Sequence, residues 1–224
     1  IDYCNENIKT VYHELFDEAL ERYNAKQTRS DRKIKDYYEK IRSSKQEKPF
    51  REIILQVGGK GNMNADTENG DLAKQVLDEY YQGFQERNPQ LRVFSAHLHM
   101  DEATPHLHID FVPFTTGSKR GLDTRVSLKQ ALATQGFKGG SRGDTEWSQW
   151  VQSEKEQLAA VMERYGIEWE HKGTHEKHLS VLDYKKQERE KEVAVLGAKI
   201  EQKQVELESL SNRVLNYDKA KDEL

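Results

Sequence analysis

Four of the chain's eight histidines, His97, His99, His106 and His108, fall within twelve residues. Imidazoles at that density are candidate metal ligands if the backbone aims them at one point. Before the group, Arg92-Val93-Phe94-Ser95-Ala96-His97-Leu98 alternates with period two. After it, Leu107, Ile109 and Phe111 alternate with His106, His108 and Asp110. Both flanks therefore read as half-buried strands. The Asp101-Glu102-Ala103-Thr104-Pro105 segment between them reads as a short loop, since Pro105 has no N–H for a ladder. The expected unit is two antiparallel strands. Phe94, Ala96, Leu98, Leu107, Ile109 and Phe111 would share an apolar face, and His97, His99, His106, His108 and Asp110 the other. His106 and His108 are two apart on one strand, so their rings point the same way. A neighbouring strand about 5 Å away can bring His99 opposite them. Glu102 in the loop can close the group, and imidazole with one carboxylate suits Mn, Fe, Zn or a similar divalent ion.

His106-Leu107-His108 resembles the His-hydrophobe-His motif of rolling-circle replication initiators and conjugative relaxases. The longer pattern His-x-Asp-Glu-x-x-Pro-His-x-His runs from His99 to His108 without a mismatch. It resembles the third motif of the Mob/Pre plasmid mobilisation (plasmid recombination) relaxases, the MobV group. The wider likeness runs from roughly residue 3 to residue 190 and includes Asp110-Phe111-Val112-Pro113-Phe114 and the basic loop that follows. The resemblance implies that His99, His106 and His108 ligate a divalent metal, Mn foremost, with Mg or Zn as alternatives. It implies catalytic roles near the metal for Glu102, as ligand or acid/base, and for Asp101. The implied activity is metal-dependent, strand-specific nicking and rejoining of DNA at a plasmid origin of transfer, by transesterification, on single-stranded or supercoiled DNA. The implied setting is the bacterial cytoplasm. Relaxases with this motif resemble one another in carrying the nucleophile near the N-terminus, here expected as a histidine ahead of the first long helix. Only Ile1–Asn5 precede that helix, and none is a histidine. The expectation is a missing N-terminal segment, with Tyr3, Tyr12 and His13 as the candidates inside this chain. A non-catalytic DNA-binding or coiled-coil scaffold with a vestigial site is the competing reading. A metallohydrolase acting on another substrate would leave the basic flanks unexplained.

The net charge of -4 argues weakly against a nucleic-acid partner, but its distribution does not. From Arg22 to Arg51 there are eleven Lys/Arg and four Asp/Glu. From Gly117 to Gly143 there are six Lys/Arg (Lys119, Arg120, Arg125, Lys129, Lys138, Arg142) and one acid. A phosphate-binding face needs local charge of this kind rather than a basic whole chain. The lone cysteine, Cys4, excludes an internal disulfide and suits a reducing compartment. No apolar run approaches the roughly 18 residues of a membrane span.

The positioning elements follow from periodicity. Residues 6–26 read as an amphipathic helix, with a shorter one around Ile34–Ile41. Residues 52–57 read as a buried strand and 58–70 as a polar connection. Helices are expected over 72–84, from Ser127 as an N-cap, and over 145–165, with Trp147 and Trp150 packing in the core. Ile167-Glu168-Trp169 reads as a short edge strand, and His171, His175 and His178 as part of a polar linker. Beyond Tyr184, Val193, Ile200, Leu207 and Val214 fall seven apart. Leu196, Leu210, Tyr217 and Leu224 fill a second seam that Lys203 interrupts, a coiled-coil pattern able to pair two chains or fold back. Mean hydropathy of -0.97 is too polar for one globule of this length. The expectation is an α+β domain over 1–182, its antiparallel sheet carrying helices on one face and the metal site on the other. A coiled-coil helix over 183–224 would follow.

Overall fold

The computed structural model describes residues 1–59, 62–169 and 181–222. His171, His175 and His178 lie outside the described residues. The chain divides into two compact units, Ile1–Glu170 and His171–Leu224. The first is α+β. Its strands are β1 (Asp2–Asn5), β2 (Arg51–Gln56), β3 (Leu91–His99), β4 (His106–Thr115) and β5 (Arg125–Val126), in one antiparallel sheet of order β1-β3-β4-β2 with β5 on the far end of β4. Its helices are α1 (Ile8–Ala25), α2 (Tyr37–Arg42), α3 (Glu68–Gln82), α4 (Phe84–Arg87), α5 (Leu128–Thr134) and α6 (Glu146–Arg164).

Side-chain oxygens start most of these helices, because the first backbone N–H groups of a helix lack partners inside it. Asn7 accepts from the Lys9 amide, Asp36 from Glu39, Thr67 from Gly70 and Ser127 from Gln130. Thr145 and Ser148 cap reciprocally at α6. Gly70 has no room for a side chain, as a Cβ there would sit 2.3 Å from the Asn64 carbonyl oxygen. That close approach lets α3 begin four residues ahead of the first predicted helical position, 72, and leaves the 58–70 connection hard against it.

The sheet buries two cores. On one face, Val93, Ala96, Leu98, Leu107, Ile109 and Phe111 pack under α3, α5 and α6, whose Val76, Leu77, Tyr80, Leu132 and Trp150 are fully buried. Trp150 is the core tryptophan expected, with Trp147 tilted against it at 4.9 Å. On the other face, Phe94 and Val112 pack with Val11, Tyr12 and Phe16 of α1, Tyr37 and Ile41 of α2, and Leu122 and Val126. Helices therefore occupy both faces, not one. A bulge between Val93 and Ser95 contributes: it turns Val93 inward and sends Phe94, expected on the first face, to the second, beside Val112.

Two further expectations are corrected. Residues 51–56 form an edge strand, not a buried one: alternate side chains are exposed, Ile54 to 59%. Ile167–Trp169 forms no strand; the chain leaves α6 through Gly166 at φ +71, with the Ile167 amide returned to the Met162 carbonyl. The second unit contains α7 (Val181–Asp222), a single 42-residue helix.

Candidate metal centre

The histidine face is the half of the second sheet face that α1 and α2 leave open. Register sets His99 beside His106, His97 beside His108, and Ser95 beside Asp110 across β3 and β4. On the other side of β4, Gln56, Ile54 and Glu52 stand beside His106, His108 and Asp110. The alternation of β4 sends 107, 109 and 111 into the core and 106, 108 and 110 to this face.

His99, His106 and His108 converge. Each offers a ligand atom, and all three atoms lie within 4.8 Å of one another. Their ring centroids are 5.1, 5.2 and 5.1 Å apart. Among the described residues this is the group of His, Cys, Asp and Glu able to hold a metal. Their outer nitrogens are already engaged. The His106 Nδ1–H donates to the Thr104 carbonyl at 3.0 Å, which can only accept, so Nε2 carries the free lone pair. The His108 Nδ1–H donates to Glu52 Oε1 at 2.7 Å. His99 Nδ1 lies 3.4 Å from Asp101 Oδ1. Three imidazoles, each with Nδ1 beside a partner outside the triad and a second nitrogen left for a ligand, match the donor chemistry of a divalent metal site. Glu102 Oε2 stands 4.0 Å from His106 Nε2 on the exposed loop, beside the triad but not among its mutually close ligand atoms.

The loop is held from behind. Thr104 and Pro105 are buried, and the Ala65 amide donates to the Ala103 carbonyl at 3.2 Å. The 58–70 segment, read as a mere connection, thus braces the loop that carries Asp101 and Glu102. The Asp101 carboxyl sits below its ordinary value through its own backbone amide and then His99. Asp110 is raised by burial against a partial offset from Ser95, and its Oδ1 is buried without a hydrogen-bond partner. His97 is on the face but not in the triad. Its Nδ1 pairs with Asp2 Oδ1 at 2.7 Å, and that hydrogen bond holds the Asp2 carboxyl below the usual carboxylate range.

The sequence profile of the Mob/Pre family, described as "Plasmid recombination enzyme", matches residues 2–186. The chain belongs to this family. It is similar to a plasmid recombination enzyme of a Bacillus species, 28% identical over 146 residues, which are 64% of this chain and 30% of that protein. It is also similar to plasmid recombination enzyme type 2 of Staphylococcus aureus strains Mu50 and N315, 28% identical over 143 residues, 63% of this chain and 29% of those. The chain thus spans under a third of the curated relatives it matches. No solved structure matches it.

In this Mob/Pre chain the basic residues do not form one patch. Lys119 and Arg120 are exposed on the β4–β5 loop, and Arg125 Nε donates to Ser118 Oγ at 2.9 Å within it. Arg22 clamps Asp123 at 2.8 and 2.9 Å, tying the loop to α1 and to the basic 22–51 segment. Lys129 sits on α5, 3.5 Å from Glu146, with Lys138 and Arg142 in the loop beyond; these belong to the layer on the opposite sheet face.

None of the three candidate nucleophiles is brought to the triad. Tyr3 lies in β1, a strand that its four residues did not announce. It stacks on Tyr81 at 4.5 Å and donates to Asp78, across the sheet from the histidines. Tyr12 is buried with its hydroxyl on the Pro49 carbonyl at 2.7 Å, and burial pushes its pKa up. His13 pairs with Asp17 on the exposed side of α1. The residues that sequence reasoning missed are Glu52, Asp2 and Thr104. Glu52 had a weak signal, as the polar residue opening the 52–57 strand, but nothing showed which strand it would lie beside.

Because Glu52 sits on an exposed edge strand, its removal should cost the fold little and the His108 ring its anchor. Glu52→Ala is expected to weaken Mn binding about 10–100-fold, the usual effect of losing an outer partner of a histidine ligand. Glu52→Gln, whose Oε1 still accepts, should retain most of the affinity. Titration calorimetry reads both, and equal affinity in all three proteins would show that Glu52 does not orient a ligand.

Proposed function

We propose that this chain is the metal- and DNA-holding part of a plasmid relaxase, which nicks one strand at an origin of transfer and later rejoins it. The observation that carries the reading is the convergence of His99, His106 and His108 within the motif that the family match covers. The triad would hold a divalent ion, Mn foremost, with Glu102 completing the ligands or moving a proton. When bound, that ion supplies Lewis-acid polarisation of the scissile phosphate and balances charge on its oxygens. The β-sheet keeps the three rings on one open face, so a sugar-phosphate strand can reach them. A side-chain nucleophile attacks phosphorus, the P–O3′ bond breaks, and the 3′ oxygen leaves with a proton. The phosphoryl group stays on the protein at the 5′ end, so a free 3′ hydroxyl can reverse the step. Among the described residues, Tyr3, Tyr12 and His13 are each engaged elsewhere, so none of these three supplies that nucleophile. The division into a nicking domain over 1–182 and a pairing helix over 183–224, and action in the bacterial cytoplasm, belong to the same proposal. Among the described residues no helix is long and apolar enough to cross a membrane.

The DNA path would follow the α1–α2 layer and the β4–β5 loop beside the triad. Residues 1–224 loaded with Mn are expected to bind cognate origin DNA, with affinity that falls steeply with salt. Replacing Lys119, Arg120 and Arg125 together with Ala should lower the slope of log affinity against log salt by about two to three. The same change at Lys129, Lys138 and Arg142 should leave it nearly unchanged. Fluorescence anisotropy across a salt series reads the slopes. Equal losses for the two triples would place the DNA elsewhere, and salt-independent binding would reject a phosphate-tracking surface altogether.

A further inference from the structure

Large apolar side chains left in solvent are few in the first unit. Among its described residues they are Ile1, Phe50, Ile54 and Trp169. Two of the four lie on one line along β2, on the face that carries the triad. Ile54, 59% exposed, stands beside His108 in the β2–β4 register. Phe50, 42% exposed, precedes the strand by one residue, and its ring meets Phe94 edge to face at 5.6 Å. Phe94 belongs to the layer under α1 and α2, so Phe50 sits on the metal side of the sheet, where the covered half meets the open half. Glu52, the anchor of His108, lies between the two apolar side chains.

We infer that Phe50 is a stacking platform for one unpaired base of the DNA strand whose phosphate the triad holds. This role rests on the DNA-nicking reading above and adds to it the residue that grips a base.

A strand that lies unpaired along the open face leaves the π faces of its bases without partners. An aromatic ring meets that need whatever the sequence, because every base has such a face. The perpendicular contact with Phe94 holds the Phe50 ring in place, so little freedom is lost when a base arrives. Cations for the sugar-phosphate chain are close. Lys45 and Lys48, just ahead in sequence, are exposed and make no ion pair among the described residues. A polypeptide laid over the same line would gain nothing from two free ammonium groups or from a metal beside it. Phe50 and Ile54 are four residues apart, about 13 Å along the chain. At the closest spacing of stacked nucleotides, about 3.4 Å, the base on Phe50 lies within about four nucleotides of the phosphate at the metal. Ile54 then gives an apolar wall to the nucleotide beside His108.

The test sets two probes against the full 224-residue chain: a single strand of thymidines, and a strand of equal length whose sugars carry no bases. Both present the same phosphates. Fluorescence anisotropy should show the thymidine strand bound more tightly by wild type. Phe50→Ala should weaken that binding about five- to hundred-fold, the range for one lost aromatic–base stack, and leave the abasic strand nearly unchanged. Phe50→Leu, which keeps an apolar contact with Phe94 but offers no ring, should lose most of the same affinity. Phe50→Trp should match or exceed wild type. Circular dichroism and metal binding should be the same in all four proteins. With 5-iodouracil in place of thymine, near-ultraviolet light should crosslink the strand at Phe50, as read by mass spectrometry of the digested protein. Equal losses on both strands would mean that the ring only supports the fold. No loss on either, or crosslinks confined to residues away from β2, would mean that no base lies on Phe50. Each of these overturns the inference and leaves the DNA reading standing, whereas a wild-type chain that binds neither strand removes both.

Discussion

Replacing His106 and His108 together with Ala is expected to abolish tight binding of a divalent metal and to leave the protein folded. The two rings stand on the open half-face of β4, while the core side chains of that strand, Leu107, Ile109 and Phe111, point the other way. Their loss therefore opens no cavity in the large core. Each ring supplies one nitrogen, and the lone His99 that remains cannot chelate. The loss of affinity should exceed the roughly 10–100-fold expected from removing an outer partner such as Glu52. Elemental analysis after gel filtration reads the metal, and circular dichroism reads the fold. Native dichroism with an unchanged metal content would mean that the triad is not the site. If the proposed nicking survived the double change as well, the Lewis-acid role would go with it.

The part of this site that was legible in the sequence is the part set by period two. Alternation around His97–His108 gives the two strands, their pairing and the shared face of His99, His106 and His108, because a strand offers only two sides. A bulge breaks that rule within the same stretch. Alternation assigns Phe94 to the main core, but the extra residue between Val93 and Ser95 turns it over, and no residue type near it signals the insertion. Helical periodicity likewise shows that Val11, Tyr12 and Phe16 share a buried stripe, but not which sheet face receives it. That is why α1 and α2 over Phe94 and Val112 were not foreseen. Glu52 lies 56 residues before His108, and only the β2–β4 register brings the two together. Strand register over such separations is fixed by the whole core, not by local composition. Strand β1 is four residues long with a bulge, too short to show a pattern.

The second large effect is on stability. Glu154→Ala is expected to cost about 3–5 kcal/mol, the range for removing one member of a buried charged pair. Glu154 is a buried carboxylate on α6, on the sheet face away from the histidines, and it gathers donors from two other helices and the turn after them. The Tyr80 hydroxyl of α3 donates at 2.5 Å, Asn88 Nδ2 at 2.9 Å, and Arg87 of α4 at 3.1 Å. The indole of Trp150, one turn earlier on α6, donates to Asn88 Oδ1 at 2.7 Å, so the amide is held from both ends. Arg87 also lies over the Tyr80 ring at 4.9 Å. Removing the carboxylate strands a guanidinium, a phenol and an amide in the interior at once, and each such donor is costly without an acceptor. Burial, with Glu154 as the next cause, already raises the Tyr80 hydroxyl above its ordinary value, so the phenol stays protonated and a donor throughout the neutral range. Glu154→Leu should be little better than Ala, because filling the space does not satisfy the donors. Glu154→Gln should fall between wild type and Ala, as it keeps one acceptor oxygen but turns an NH2 group toward donors. Urea unfolding should show lower midpoints with an unchanged slope. Metal affinity measured well below the midpoint should not change, since the triad lies across the sheet. A loss under about 1 kcal/mol for Ala would mean that water replaces the carboxylate, and that apolar packing around Trp150 alone joins α3, α4 and α6.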